Sequence, residues 1–160
     1  MCEMRKYCLS LLLLLLTLVS NAVEPPKREI RGVWLTTVYG LDWPRKPATT
    51  ETGRKAQQRD VCDILDRLQD ANFNTVFLQV RMRGDVIWRS AIEPASKTFS
   101  GKYGMMPGYD PLAFVVDECH KRGMECHAWF VTFPLGTDKS VKEQGKLSVV
   151  RRQPKLCKRH

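Results

Sequence analysis

The chain has 160 residues, a formal net charge of +9 and a 43% hydrophobic share. That is enough for one domain with a real core, and it excludes a complete (β/α)8 barrel, which needs about 250 residues. The positive charge suits acidic polymers or anionic surfaces. Much of it, however, gathers around Pro154 as Arg151, Arg152, Lys155, Lys158 and Arg159, where a solvated loop accounts for it and nucleic acid is not an expected partner.

Arg5 and Lys6 precede an apolar run from Cys8 to Val19 that is too short to span a bilayer as a helix. Ser20 and Ala22 supply the small residues of a cleavage site after Ala22. Residues 1–22 are therefore expected to be a signal peptide and 23–30 a polar leader. The released protein is expected in the periplasm or outside the cell, with no stable membrane anchor. Cys2 and Cys8 lie before or inside the apolar run, so neither is placed for lipid attachment.

Arg31–Val38 reads as a first strand, with Val33, Leu35 and Thr37 on one face and Trp34, Thr36 and Val38 on the other. A loop containing Leu41-Asp42-Trp43-Pro44 follows. Lys55–Ala71 then carries Val61, Ile64, Leu65 and Leu68 at i, i+3, i+4 and i+7, the spacing of an amphipathic helix that Asn72 can stop. The second strand, Asn74–Arg81, sets Val76, Leu78 and Val80 against Phe77, Gln79 and Arg81. Between Met82 and Gly108 no periodicity is sustained, and long segments of this kind are more often functional than idle.

The second helix starts at Asp110, a capping residue, with Pro111 in its first turn. Leu112, Val115, Val116 and Cys119 form its apolar face. His120, Lys121 and Arg122 close it, and Gly123 can take the left-handed conformation that ends it. Met124–Val131 alternates as a third strand, with Cys126, Ala128 and Phe130 opposite Glu125, His127, Trp129 and Val131. Beyond Pro134 only a short helix near Ser140–Gly145 is expected before the basic loop.

The cysteines beyond Ala22 show neither a CxxC pair nor metal-ligand spacing, so no metal or cofactor is expected. Cys119 and Cys126 flank Gly123. Packed layers lie ~10 Å apart and a disulfide needs Cα atoms within ~7 Å, so two packed thiols are expected there.

The order β-α-β-α-β forces parallel pairing through crossovers. Each strand has one aliphatic face suited to helices and one aromatic and polar face, which favours a barrel interior over a doubly wound sheet. Three strands cannot close a barrel, and Trp34, Phe77 and Trp129 would lose their cover. The fold class is therefore α/β, a partial (β/α)8 TIM-type barrel with about three βα units. Residues 31–160 are expected to be the N-terminal portion of a larger barrel domain.

Glu29–Val38 (EIRGVWLTTV), Leu41–Pro44 (LDWP), Phe73–Arg81 (FNTVFLQVR), Gly84-Asp85 and Asp110–Trp129 occur in that order. On these segments the chain resembles the glycosyl hydrolase-like 10 family of exported bacterial proteins. The resemblance implies a TIM-type barrel and hydrolysis of glycosidic bonds in a bacterial or dietary polysaccharide, cell-wall glycan being one candidate. After Trp129 the wider family often continues with an Asn-Pro-Tyr-Arg-like segment, whereas this chain has Val131-Thr132-Phe133-Pro134. Family enzymes of this barrel type draw their catalytic carboxylates from later strands, so this chain alone is expected to be inactive.

Among the carboxylates here, Asp85 is a weak catalytic candidate, because Arg81 and Arg83 beside it favour a pairing role. Asp42 reads as a turn former and Glu93 carries no signal. Expected substrate-binding residues are Trp34, Gln79, Arg81, His127 and Trp129. Gln79 and Arg81 are costly to bury unpartnered, so they either bind sugar hydroxyls or, for Arg81, form an ion pair with Asp85. Trp34 and Trp129 either stack on sugar rings or fill the interior. His127 either donates to a sugar or is a satisfied core histidine. Two further readings are a non-catalytic carbohydrate or cell-wall binding module and an unrelated three-stranded α/β domain.

Overall fold

The computed structural model describes residues 29–158; the expected signal peptide and most of the leader lie outside them. Three strands, β1 (Gly32–Leu35), β2 (Thr75–Arg81) and β3 (Glu125–Phe130), form one parallel sheet in the order β1-β2-β3. The helices are α1 (Glu51–Asp70), α2 (Lys97–Ser100), α3 (Pro111–Lys121), α4 (Asp138–Gln144) and α5 (Val149–Arg152). Among the described residues no helix is long and apolar enough to cross a membrane.

The α1 helix begins four residues before the expected start. Thr50 caps it by accepting a hydrogen bond from Gly53 N at 3.1 Å, and the polar first turn hid this from the apolar spacing. Its far end follows the expectation, with Asn72 left-handed at φ 61°. The α3 helix also ends and starts as its sequence dictates. Asp110 accepts from Ala113 N at 3.1 Å, Pro111 occupies the first turn, and Gly123 is left-handed at φ 67°.

Val61 and Leu65 of α1, Val115 and Cys119 of α3, and Val76, Leu78 and Val80 of β2 share one buried cluster. Burial of that seam is the main driving force for the fold, each fully buried aliphatic side chain contributing roughly 1.5–3 kcal/mol. The four described cysteines are free thiols. Cys119 is buried in that cluster and Cys126 packs against it, in keeping with two packed thiols. The neighbouring Cys126 thiol, with burial, pushes the Cys119 thiol up.

Two segments expected to be irregular are structured. Within 82–108, Val86 bridges both Arg81 and Ala95, and Met82, Val86, Ile87 and Phe99 are buried. The segment therefore contributes to the core without the periodicity that would announce it. The basic tail expected as a loop holds α5 and 3-10 turns at Gly145–Leu147 and Pro154–Leu156. Ser148 is buried at the start of α5, and Arg152 donates to Ile92 O.

A buried hub joins the loops at one end of the sheet. Gln57 donates to Lys46 O at 2.7 Å and Phe99 O at 2.9 Å, and accepts from Tyr109 Oη at 3.0 Å. Trp43, fully buried, donates to Gln57 O at 2.8 Å and meets Phe99 edge-on. Trp43-Pro44 is a cis peptide.

Candidate functional site: the carboxyl end of the sheet

β1 ends at Leu35, shorter than its sequence suggested, because side chains capture the next amides. Asp42 Oδ2 accepts from Thr36 N at 2.8 Å, in keeping with its expected turn-forming role. Gln79 Oε1 accepts from Thr37 N at 3.0 Å and Val38 N at 2.8 Å, while Thr37 Oγ1 donates to Gln79 O at 2.7 Å. Gln79 thus satisfies the backbone of the departing chain, as a buried polar group must. Tyr39 then turns left-handed at φ 58° and projects into solvent.

Arg81 has a different partner from the one expected. Its Nε and Nη2 donate to the two oxygens of Glu93 at 2.7 and 2.6 Å, a forked, charge-assisted pair. Its Nη1 donates to Val131 O at 2.6 Å and Thr132 O at 3.1 Å. The Arg81–Asp85 pair does not form because Asp85 folds into its own turn, where Oδ1 accepts from Arg83 N at 3.0 Å. The Val86–Ala95 bridge meanwhile carries the preceding Glu93 back beside Arg81. Arg81 follows an irregularity in the β2–β3 register between Gln79 and Arg81, a feature that re-aims a side chain at a strand end.

The sheet face away from the helices is aromatic and open. Trp34, Phe77 and His127 stand at one level of the register, and Gln79 with Trp129 at the next level toward the carboxyl ends. Trp34 stacks on Phe77 at 4.8 Å between ring centroids and meets Trp129 edge-on at 5.0 Å. Phe77 and His127 lie 5.5 Å apart. Trp34 is 57% exposed. His127 is exposed and bonded to Glu125 at 2.9 Å, so it is not a core histidine within the described residues.

Beyond the strand ends lies a cavity of about 570 Å³. Its walls come from the segments that follow β1 (Tyr39, Arg45), β2 (Arg83, Lys97, Tyr103) and β3 (Lys139, Glu143). The Arg83 guanidinium rests over the Tyr39 ring, 4.2 Å from its centroid, and Nη1 donates to the Tyr39 hydroxyl. Lys97 pairs with Glu143 at 2.6 Å, which raises the lysine and holds the carboxyl below its usual range. Burial pushes the Tyr103 phenol up, and the nearby Asp85 carboxylate adds to the rise.

Of the sequence-predicted residues, the structure brings Trp34, His127 and Trp129 together on one face with Phe77. Gln79 and Arg81 hold backbone and loop at the carboxyl end, and Asp85 is buried in its turn. Sequence reasoning missed Glu93, Tyr39, Arg83 and Tyr103. A second arginine two residues after Arg81 was the available signal for Arg83; the others sit in aperiodic loops.

A parallel α/β sheet with a polar cavity at the carboxyl ends of its strands is the layout on which α/β enzymes build their sites. The chain belongs to the glycosyl hydrolase-like 10 family, whose model matches residues 29–160. It is 50% identical over 111 residues to glycosyl hydrolase DigH of Escherichia coli K12, a match covering 67% of this chain and 25% of that protein. It is 41% identical over 103 residues to glycosyl hydrolase YngK of Bacillus subtilis 168, covering 64% of this chain and 20% of the relative. The matched region thus corresponds to about a quarter or less of each relative's length.

Proposed function

We propose that this chain is the N-terminal, substrate-facing sector of an exported TIM-type glycoside hydrolase acting on a polysaccharide. The observation that carries the reading is the family membership joined to an aromatic sheet face that rises toward the carboxyl end. Trp129 offers a ring face to a sugar, and Trp34 braces it edge-on from below. Gln79 and Arg81 fix the loops around that platform, and His127 flanks it.

Glycoside hydrolysis uses two carboxyl groups, ~5–5.5 Å apart for retention or ~6.5–9.5 Å for inversion. The carboxylates near this end are otherwise engaged: Asp42 with Thr36 N, Asp85 with Arg83 N, Glu93 with Arg81, and Glu143 with Lys97. In this reading the chain binds and orients glycan, while the acid and its partner carboxylate come from further strands of a longer protein.

Affinity electrophoresis in gels containing soluble polysaccharides tests the proposal. At least one polysaccharide should retard the chain, and Trp129→Ala should weaken that retention about tenfold, the loss of a sugar–aromatic stack of ~1.4 kcal/mol. Retention untouched by Trp129→Ala, or absent throughout the panel, would count against it. The chain alone should release no reducing sugar from a polysaccharide that it binds.

A further inference from the structure

We propose that the cavity at the carboxyl end binds a carboxylate carried on the glycan, so that the chain selects acidic over neutral polysaccharide. The proposal rests on the glycan-binding reading above and adds a charge requirement to it. Four cations, Arg45, Arg83, Lys97 and Lys139, line this cavity, and Glu143 is the acidic residue among its lining residues. That carboxylate is paired with Lys97 at 2.6 Å, leaving the other three cations in excess. A concave site whose lining carries a net excess of positive charge concentrates anionic ligands.

The second observation is Arg83 itself. Its Nε is buried and has no hydrogen-bond partner among the described residues. A buried guanidinium donor without an acceptor is costly, and such exceptions call for a ligand or a water. The same guanidinium lies over the Tyr39 ring and donates from Nη1 to its hydroxyl. A planar guanidinium suits a carboxylate, which can accept two parallel hydrogen bonds. Tyr103 adds an aromatic wall and a phenol, pushed up further by burial, that can donate to a sugar hydroxyl. The volume, about 570 Å³, falls within the range of small-ligand sites.

Affinity electrophoresis of the full chain provides the test, using polygalacturonate, hyaluronan and alginate, each beside its carboxyl-reduced form. The expected result is at least one acidic glycan that retards the chain tenfold more strongly than its reduced counterpart. Arg83→Gln, and separately Arg45→Gln with Lys139→Gln, should abolish that difference. Arg151→Gln with Lys155→Gln removes equal charge from the tail and should leave the difference in place. Near-UV circular dichroism confirms that each variant is folded, and the exposed Arg45/Lys139 variant covers the case in which Arg83→Gln unfolds.

Equal retention of acidic and reduced forms overturns the proposal, as does no retention by any acidic form. A tail variant that loses as much as the cavity variants also overturns it, because the attraction would then be one of diffuse charge. Loss of selectivity in 10 mM inorganic phosphate would overturn it too, marking a simple anion site. Trp129→Ala read on the reduced glycans reports the stacking platform separately, so failure of the charge requirement and failure of glycan binding remain distinct.

Discussion

Arg81 closes the carboxyl end of the sheet by holding three chain segments at once. Its fork on Glu93 and its bonds to Val131 O and Thr132 O tie the long β2–α3 connection and the exit of β3 to β2. Both side chains of the pair are largely buried, at 14% and 11% exposure. Removing one partner strands the other charge, which costs roughly 3–5 kcal/mol. Glu93→Ala should therefore lower the stability measured by urea unfolding by that amount, while Asp85→Asn, which leaves the pair intact, should cost far less. Equal losses would mean that Asp85 balances Arg81 after all. The sequence showed that Arg81 needed a partner. It did not show which, because the bridge that returns Glu93 to it joins aperiodic loops.

The helices illustrate what local sequence does and does not specify. Asp110, Pro111 and Gly123 write both ends of α3 into the sequence, and the structure uses all three. Asp110→Ala should cost about 1 kcal/mol, the value of a lost N-cap, as measured by thermal or urea unfolding. The start of α1 was less legible, since its cap Thr50 precedes a turn without apolar residues. Packing of α3 on α1 is completed by Arg122, which donates to Asp66 of α1 and Glu118 of α3, both at 2.6 Å. Hydrogen bonds from Lys121 first, then Arg122, hold the Glu118 carboxyl down at about 2. The folded form thus binds its proton less readily than the unfolded chain does. Its stabilising share is complete above the ordinary value of 4.5 and is lost as the pH falls from there toward about 2. Glu118→Gln should flatten that part of a stability–pH curve recorded by urea unfolding; an unchanged slope would show that other carboxylates set it.

For the whole molecule, period-two strands and 3.6-period helices were enough to give a parallel β-α-β-α-β order and the aliphatic faces that meet. The opposite face also followed from alternation: Trp34, Phe77, His127 and Trp129 share it as their parity requires. The rim cavity was not legible. It assembles residues from three separate loops, and nothing in their spacing places Tyr39 under Arg83 or Lys97 beside Glu143. The core under those loops was hidden for the same reason, with Trp43, Ile87 and Phe99 buried by long-range packing rather than by local pattern.

The four tryptophans separate these environments in one measurement. Trp129 and Trp34 lie on the open aromatic face, Trp88 meets Phe130 at 5.9 Å, and Trp43 is buried with its indole bound to Gln57 O. A two-dimensional ¹H–¹⁵N spectrum of the chain, titrated with a retained soluble glycan, reads each indole N–H separately. The largest shift is expected at Trp129, a smaller one at Trp34 and none at Trp43. Shifts confined to Trp88, or no indole shift while the glycan is bound, would contradict the aromatic face as the sugar platform.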